Sequence, residues 1–308
     1  MPEVTVRDAH RGDARGIADI WAAAVPVLVR SAARAAADLR EDRALGRRRW
    51  VGLVDGEVAG TAAARLLHGE TLHAAREVVL EVEVHPRFGS RGVGTALLET
   101  AVAAWPGVAQ LHATCTDEPI SMAFAVRFGF LPLAERLVST VRTAEVADPG
   151  PAPVGLRATT LDRLPSLEML LDTYNHGTRG DPDGLTVPLT LKELRQGWWN
   201  GPDNASDLSW GLVADSPSAP LLTAFSSTTL DRERGQACGA MTTTDPSYRR
   251  RGLATWVKRR SLRSLHEAGV AEASTTVDAG NAAMATLNQA LGYRPRGVLV
   301  HVGRRLAR

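Results

Sequence analysis

The sequence predicts two α/β domains in tandem. Three observations carry this: strand and helix patterns alternate along the chain, a proline-rich break lies near its middle, and the order of elements restarts after the break. A chain of 308 residues is long enough for two domains that each bury their own core.

In the first half, Val4–Arg7 alternates as a short strand, and Gly12–Val25 carries Ile17, Ile20, Trp21 and Val25 on one helical face. Leu28–Asp42, rich in Ala and Arg, reads as a second helix ending near Gly46. Trp50–Val54 and Val58–Ala62 form a hairpin through the Asp55-Gly56 turn. Glu77–Val84 is a strand, Gly92–Trp105 a helix, Leu111–Cys115 a strand, Ser121–Phe128 a short helix and Leu131–Val141 a final strand.

Ala147–Pro153 holds three prolines in five residues, which disfavours helix and sheet alike and marks a linker. The expected division is 1–146, linker 147–153, and 154–308. After the linker, strands are expected at Val154–Arg157, Trp210–Val213, Leu221–Thr229, Ala237–Thr244, Ala273–Val277 and Val298–Val302. Helices are expected at Leu161–Tyr174, Leu191–Trp199, Gly252–Ala268 and Ala282–Leu291.

Register supports the repeat. Val84-His85-Pro86 and Thr244-Asp245-Pro246 stand 160 residues apart, as do Gly92 and Gly252. Phe128-Gly129-Phe130 and Leu291-Gly292-Tyr293 stand 163 apart, and the opening strands 150. The chain is an internal duplication whose unit is domain-sized.

A net charge of +2 gives no sign of a general nucleic-acid binder. Lys192 and Lys258 are the only lysines among 36 basic residues. Cys115 and Cys238 have neither a disulfide framework nor metal-ligand spacing, so no metal is expected. No run approaches the ~20 apolar residues that span a bilayer. No leader pattern opens the sequence, so a cytoplasmic protein without membrane or nucleic-acid partners is expected. The composition leaves a homodimer open.

The stretch Asp245–Ala254 reads as a cationic loop between a strand and a helix. Amides at a helix start, together with Arg249, Arg250 and Arg251, converge on a point suited to a phosphate. Gly252 and Ala254 are small where a ligand comes close. The plainer alternative is a basic turn that caps a helix.

Both halves resemble the GNAT superfamily of N-acetyltransferases. The family signature, Arg/Gln-x-x-Gly-x-Gly/Ala between strand and helix, is matched by Arg249-Arg-Arg-Gly252-Leu-Ala254. Asn281 through Asn288 to Tyr293 is similar to the family's later helix and Gly-aromatic turn. In the first half, Val82–Gly94 is similar but has Gly89 where Arg or Gln is usual. The resemblance implies two folds, each a splayed, mixed, mostly antiparallel sheet flanked by helices. It implies acetyl-CoA as cosubstrate, with its pyrophosphate on the loop amides and direct attack by a primary amine of a small molecule. A strand N–H would polarise the thioester carbonyl. The second half is expected to hold the cofactor through Thr242, Thr244, Arg249, Arg250, Arg251, Gly252, Ala254, Thr255 and Asn281. A first, weakened copy would use Val84, Gly89, Arg91, Gly92 and Gly94, completing the acceptor cleft or binding a second CoA. Transfer of another acyl group, or a non-catalytic CoA-sensing role, are the alternatives.

Glu81 and Glu83 share one strand face and are candidates for the base, against a salt bridge or a solvated face. His85 reads as a relay or a surface residue. The matching second-half positions are Met241 and Thr243, so either a base there comes from elsewhere, such as Asp231, Glu233, His176 or a threonine-held water, or the chemistry sits in the first half. The family's usual acid, a Tyr, is replaced by Asn288 and by Ala125, and Asn can hydrogen-bond a thiol without donating a proton as an acid. Asn281 either holds CoA or caps a helix, and Glu118 takes its place in the first half. Cys238 reads as a structural thiol, with an acyl-cysteine as the alternative. Asp181 and Asp183 are candidates to attract a cationic amine, against simple turn chemistry. Trp198 and Trp199 are candidates to stack on substrate, against one in the core and one at the lip.

Overall fold

The computed structural model describes residues 3–42, 44, 46–67, 77–179, 187–215 and 220–306. They form two compact units: residues 1–136 with 297–308, and residues 137–296. This differs from the division read at 147–153. The last strand of each half packs in the other half's unit.

In unit 1 the strands are β1 (Val4–Asp8), β2 (Arg47–Val54), β3 (Glu57–Leu66), β4 (Glu77–Val84), β5 (Gln110–Thr116) and β12 (Arg294–Arg305), adjacent in that order. Asp55 and Gly56, both left-handed at φ 51° and 80°, make the two-residue turn between β2 and β3 that the Asp-Gly pair predicts. Helix α1 (Ala14–Ala24) buries Ile17, Ile20 and Trp21, and α2 (Ala32–Glu41) is capped by Ser31, whose Oγ accepts from Arg34 N–H. Helix α3 (Val93–Ala103) packs Val93, Leu97, Leu98 and Ala101 into the core, and α4 (Pro119–Arg127) follows β5. From Leu299–Thr116 to Arg305–Gln110, β12 pairs antiparallel with β5, and it places Val300 and Val302 in the same core.

In unit 2 the order is β6 (Leu131–Arg142), β11 (Glu272–Asp278), β10 (Gln236–Thr244), β9 (Leu221–Asp231), β8 (Trp210–Ala214) and β7 (Leu156–Thr160). Helix α5 (Leu167–Gly177) and α6 (Leu191–Glu193), which runs into a π-helical turn at Leu194–Trp199, follow β7. Helix α7 (Leu253–Glu267) lies after β10 and α8 (Ala282–Ala290) after β11. Val141 and Val146 are buried with Leu262, Leu265 and Tyr293, which is why 137–146 belongs here and not with 1–136. Among the described residues no helix is long and apolar enough to cross a membrane.

Each unit contains one parallel pair that soon parts. β4 and β5 are paired from Glu77–Gln110 to Val79–His112, and β10 and β11 from Ala237–Ala273 to Gly239–Thr275. Beyond these residues the ladder stops, so the strands fork. In β10 the register against β9 also slips between Gly239 and Met241, which leaves Ala240 out of the ladder at the fork.

A chain ending at Arg296 loses the strand that covers β5 and the buried Val300 and Val302, each worth about 2 kcal/mol of apolar burial. We expect amide protons of β4 and β5 to lose protection in hydrogen exchange in that truncation, while β8 and β9 keep theirs.

Candidate functional site

The loop between β10 and α7 presents the geometry its glycine requires. Gly252 caps α7 with φ 75°, and Arg250, two residues earlier, is also left-handed at φ 63°. The first unit repeats this with Gly92 at φ 86° and Ser90 at φ 61°. No side chain caps the start of α7, so its first amides stay open for an anion. Arg249 donates to the Gly177 carbonyl at 2.7 Å, tying the loop to the end of α5. Arg251 donates to the Ser247 carbonyl and lies over the Tyr248 ring.

A cleft of about 440 Å³ opens beside this loop and runs along β10. Thr242, Thr244, Arg249, Arg250, Gly252, Ala254, Thr255 and Asn281, all singled out from sequence, line it; Arg251 is not among its lining residues. Arg179 and Met284 line it as well, and the sequence reading had passed over them. Asn281 caps α8, its Oδ1 accepting from Met284 N–H, as the helix-cap alternative has it, and the residue also lines the cleft. Thr242 shares a hydrogen bond with Ser226 at 3.1 Å. Thr244 Oγ1 and Ser227 Oγ are buried without a hydrogen-bond partner among the described residues.

The catalytic candidates are placed differently. Glu83 forms an ion pair with Arg30 at 2.8 Å, Glu81 lies 3.9 Å from the same guanidinium, and Arg30 stacks over Trp21 at 4.7 Å. The salt-bridge alternative therefore describes Glu83. Burial pushes its carboxyl above the ordinary range, and the Arg30 charge pulls the other way. Asn288 is buried, with Oδ1 accepting from Lys258 Nζ at 2.7 Å rather than facing the cleft. Asp231 staples the β9–β10 turn through the amides of Glu233 and Arg234. His176 pairs with Asp245 at 3.4 Å, at the loop end of β10 and away from the fork. His85 caps the turn after β4 by accepting from Arg87 N–H. Trp198, half-buried, packs against the apolar cluster that holds Tyr174 and Phe225, with ring centroids 6.2 and 5.9 Å away. Asp181 and Asp183 lie outside the described residues.

The first unit's counterpart has an aromatic ring against its helix start. The ring of Phe124 packs so closely on Gly94 that an added Cβ there would come within 3.3 Å of it, with Val84 at 3.5 Å. Val82, Val84 and Phe124 all pack on the unit's core. Arg91 lies over the Phe88 ring, and Gly89 closes the turn that follows His85. The corresponding α8 residue, Leu287, lines the open cleft of unit 2.

Lys258 is the residue that sequence reading missed. Its side chain lies in the interior with Nζ on Asn288 and, at 3.3 Å, Thr275, and over the Tyr293 ring at 5.0 Å. Burial pulls it down to about 8 from its ordinary 10.5, while Cys238 acts in the opposite direction. Burial also pushes the Tyr293 hydroxyl up. The available signal was that Lys258 falls where the first half has Leu98.

A lysine whose folded value is depressed takes stability from the fold as pH falls from 10.5 through about 8. Replacing Lys258 by Leu together with Asn288 by Ala is therefore expected to raise unfolding free energy by about 1–3 kcal/mol at pH 7. The gain should shrink as pH climbs from 8 toward 10.5, read by urea denaturation across that range.

Comparison with known proteins agrees with this geometry. Residues 17–130 match the model of the acetyltransferase (GNAT) family. A stretch of 154 residues is 30% identical to a mycothiol acetyltransferase of Mycobacterium avium (strain 104); it covers 49% of this chain and 48% of that relative, about half its length. A tandem GNAT protein from the clavulanic acid biosynthesis pathway superposes with a TM-score of 0.75 at 20% identity, over 99% of both chains. A GCN5-related N-acetyltransferase from Sphaerobacter thermophilus superposes at 0.63 with 19% identity, over 98% of this chain and 95% of the other. Residues 17–130 are thus similar to the GNAT acetyltransferase family, and the chain as a whole has the fold of the tandem GNAT protein on which it superposes.

Proposed function

We propose that the chain is an acetyl-CoA-dependent N-acetyltransferase whose second unit carries the reaction. One observation supports this most: a loop with two left-handed residues, open helix amides and arginines faces a cleft that runs along β10 from Thr244 to Met241, toward the fork. The pyrophosphate of CoA suits the loop, where oriented amides and guanidinium groups need no rearrangement to receive it. The pantetheine arm then lies along β10, where parting from β11 leaves backbone groups unpaired. At the fork the bulge frees the amide of Ala240 to polarise the thioester carbonyl.

The acceptor in this reading is the primary amine of a small molecule, which attacks the thioester directly while both are bound. Its proton leaves through water held on hydroxyls of β9 and β10, since Met241 and Thr243 take the positions of Glu81 and Glu83. The buried Ser227 and Thr244 hydroxyls are polar sites that such waters satisfy. The name of the mycothiol acetyltransferase relative supports acetyl transfer. The first unit keeps the glycine turn, but Phe124 occupies the gap between Gly94 and Val84. It serves in this reading as a structural copy.

Gly252 has open space around its Cα, but a side chain at φ 75° is strained by about 1–2 kcal/mol and would project over the amides. Gly252→Val is expected to weaken acetyl-CoA binding at least tenfold by calorimetric titration, and Gly92→Val to leave it unchanged. The reverse pattern would put the cofactor in the first unit. Release of free thiol with a panel of small amines reads the transfer itself.

A further inference from the structure

The duplication supplies an internal comparison at the fork. Leu98 and Lys258 each stand six residues after the left-handed glycine that caps their helix. Ala113 and Thr275 are each the fourth residue of the second strand of the parallel pair. The carbonyls of Ala125 and Asn288 accept the same backbone bond, from Phe130 and Tyr293 at 3.0 and 3.1 Å. The first unit thus closes this part of its core with Leu, Ala, Ala and Phe, and the fold demands no polar group here. The second unit has Lys, Thr, Asn and Tyr at all four places.

The replacements form one cluster. Lys258 Nζ donates to Asn288 Oδ1 and Thr275 Oγ1, and its charge lies over the Tyr293 ring. The groups facing it are Cys238 from β10, Thr275 from β11, Asn288 from α8 and Tyr293 at the start of β12. None of these is a carboxylate. Asn288 Nδ2 and the Tyr293 hydroxyl are buried without a partner among the described residues. An interior ammonium with no carboxylate beside it among the described residues is costly to keep. It becomes favourable when an anion arrives beside it.

Lys258, Thr275 and Asn288 do not line the cleft themselves but lie directly behind residues that do. Thr275 belongs to the last residue pair before β10 and β11 part. Ala254 and Thr255 line the cleft one helical turn before Lys258, and Met284 does so one turn before Asn288. From Thr244 at the phosphate loop to Gly239 at the fork is about 15 Å of strand, the reach of an extended pantetheine arm. A CoA whose phosphates rest on the loop therefore carries its sulfur to the fork.

We propose that Lys258, held by Asn288 and Thr275, is the proton donor to the sulfur that leaves when an acyl thioester is cleaved in the second unit's cleft. This rests on the acetyl-CoA reading above. The amine nitrogen forms the C–N bond, the C–S bond breaks, and its electron pair departs on sulfur. The ammonium gives one proton to that sulfur, yielding the thiol. Neutral Lys258 recovers a proton through water from the amine that has become an amide, so the net transfer is from nitrogen to sulfur. An acid near 8 is matched to a thiol whose free value is about 8.5, so the proton passes with little bias at neutral pH.

The test uses CoA itself and no acceptor. A cation beside the sulfur favours its thiolate, so the rate at which iodoacetamide alkylates CoA bound at saturation reports Lys258. Mass spectrometry of the CoA adduct separates it from Cys115 and Cys238. Between the full chain and Lys258→Leu/Asn288→Ala, which restores the residues of the first unit, we expect alkylation of bound CoA at pH 7 to fall about tenfold. Its pH midpoint should rise by about one unit. Lys258→Met decides the matter if the double variant fails to fold. Equal rates and midpoints in proteins that all bind CoA overturn the role of Lys258. Failure of the unaltered chain to bind CoA overturns the cofactor reading instead.

Discussion

Two parallel strands that share three residue pairs and then part create the space on which the second unit's site depends. β10 and β11 are joined only from Ala237–Ala273 to Gly239–Thr275. The slip at Gly239/Met241 turns β10 away at the place where the pairing ends. A β-ladder that stops inside a sheet leaves donors and acceptors that must be met by water or by a ligand. The fork therefore makes both a cleft and a set of backbone partners for an extended chain lying in it. The left-handed turn at Gly252 stands at the open end of that cleft, and the amides of α7 give it an anion-binding mouth.

The first unit shows what the same framework becomes without that use. Its strands fork in the same way and its glycine cap has the same conformation. Yet Phe124 rests on Gly94 and Val84, and the carboxylates of β4 turn to Arg30. An aromatic ring in the gap adds apolar burial, and an ion pair satisfies charges that would otherwise face substrate. The second unit makes the opposite trade, accepting a buried ammonium at Lys258 where a leucine would pack.

Much of this was legible before any coordinates. Hydrophobic period, the Asp55-Gly56 turn and the two glycine caps are local, and each element they predict is present with boundaries shifted by a few residues. The loop residues were legible for the same reason, because a left-handed glycine followed by a helix start defines its own amide geometry. Glu83 and Trp198 were not, since their partners Arg30 and Phe225 are remote in sequence and only packing brings them together. Lys258 was hidden within its own helix, where one more charged residue gives no local sign of facing inward, and only the alignment with Leu98 of the first half points to it.

The sequence by itself determined that the chain is duplicated, that each half alternates strands and helices, and where an anion-binding turn precedes a helix. These follow from short-range stereochemistry and from register. Only the tertiary structure decided which unit receives each terminal strand, because β6 and β12 have similar alternating patterns and either could satisfy an open sheet edge. Burial of Val141 and Val146 in unit 2, and of Val300 and Val302 in unit 1, settles it. The interior also decides that Phe124 packs on Gly94 and that the Lys258 ammonium is held by Asn288, since both contacts join side chains of separate elements about 30 residues apart.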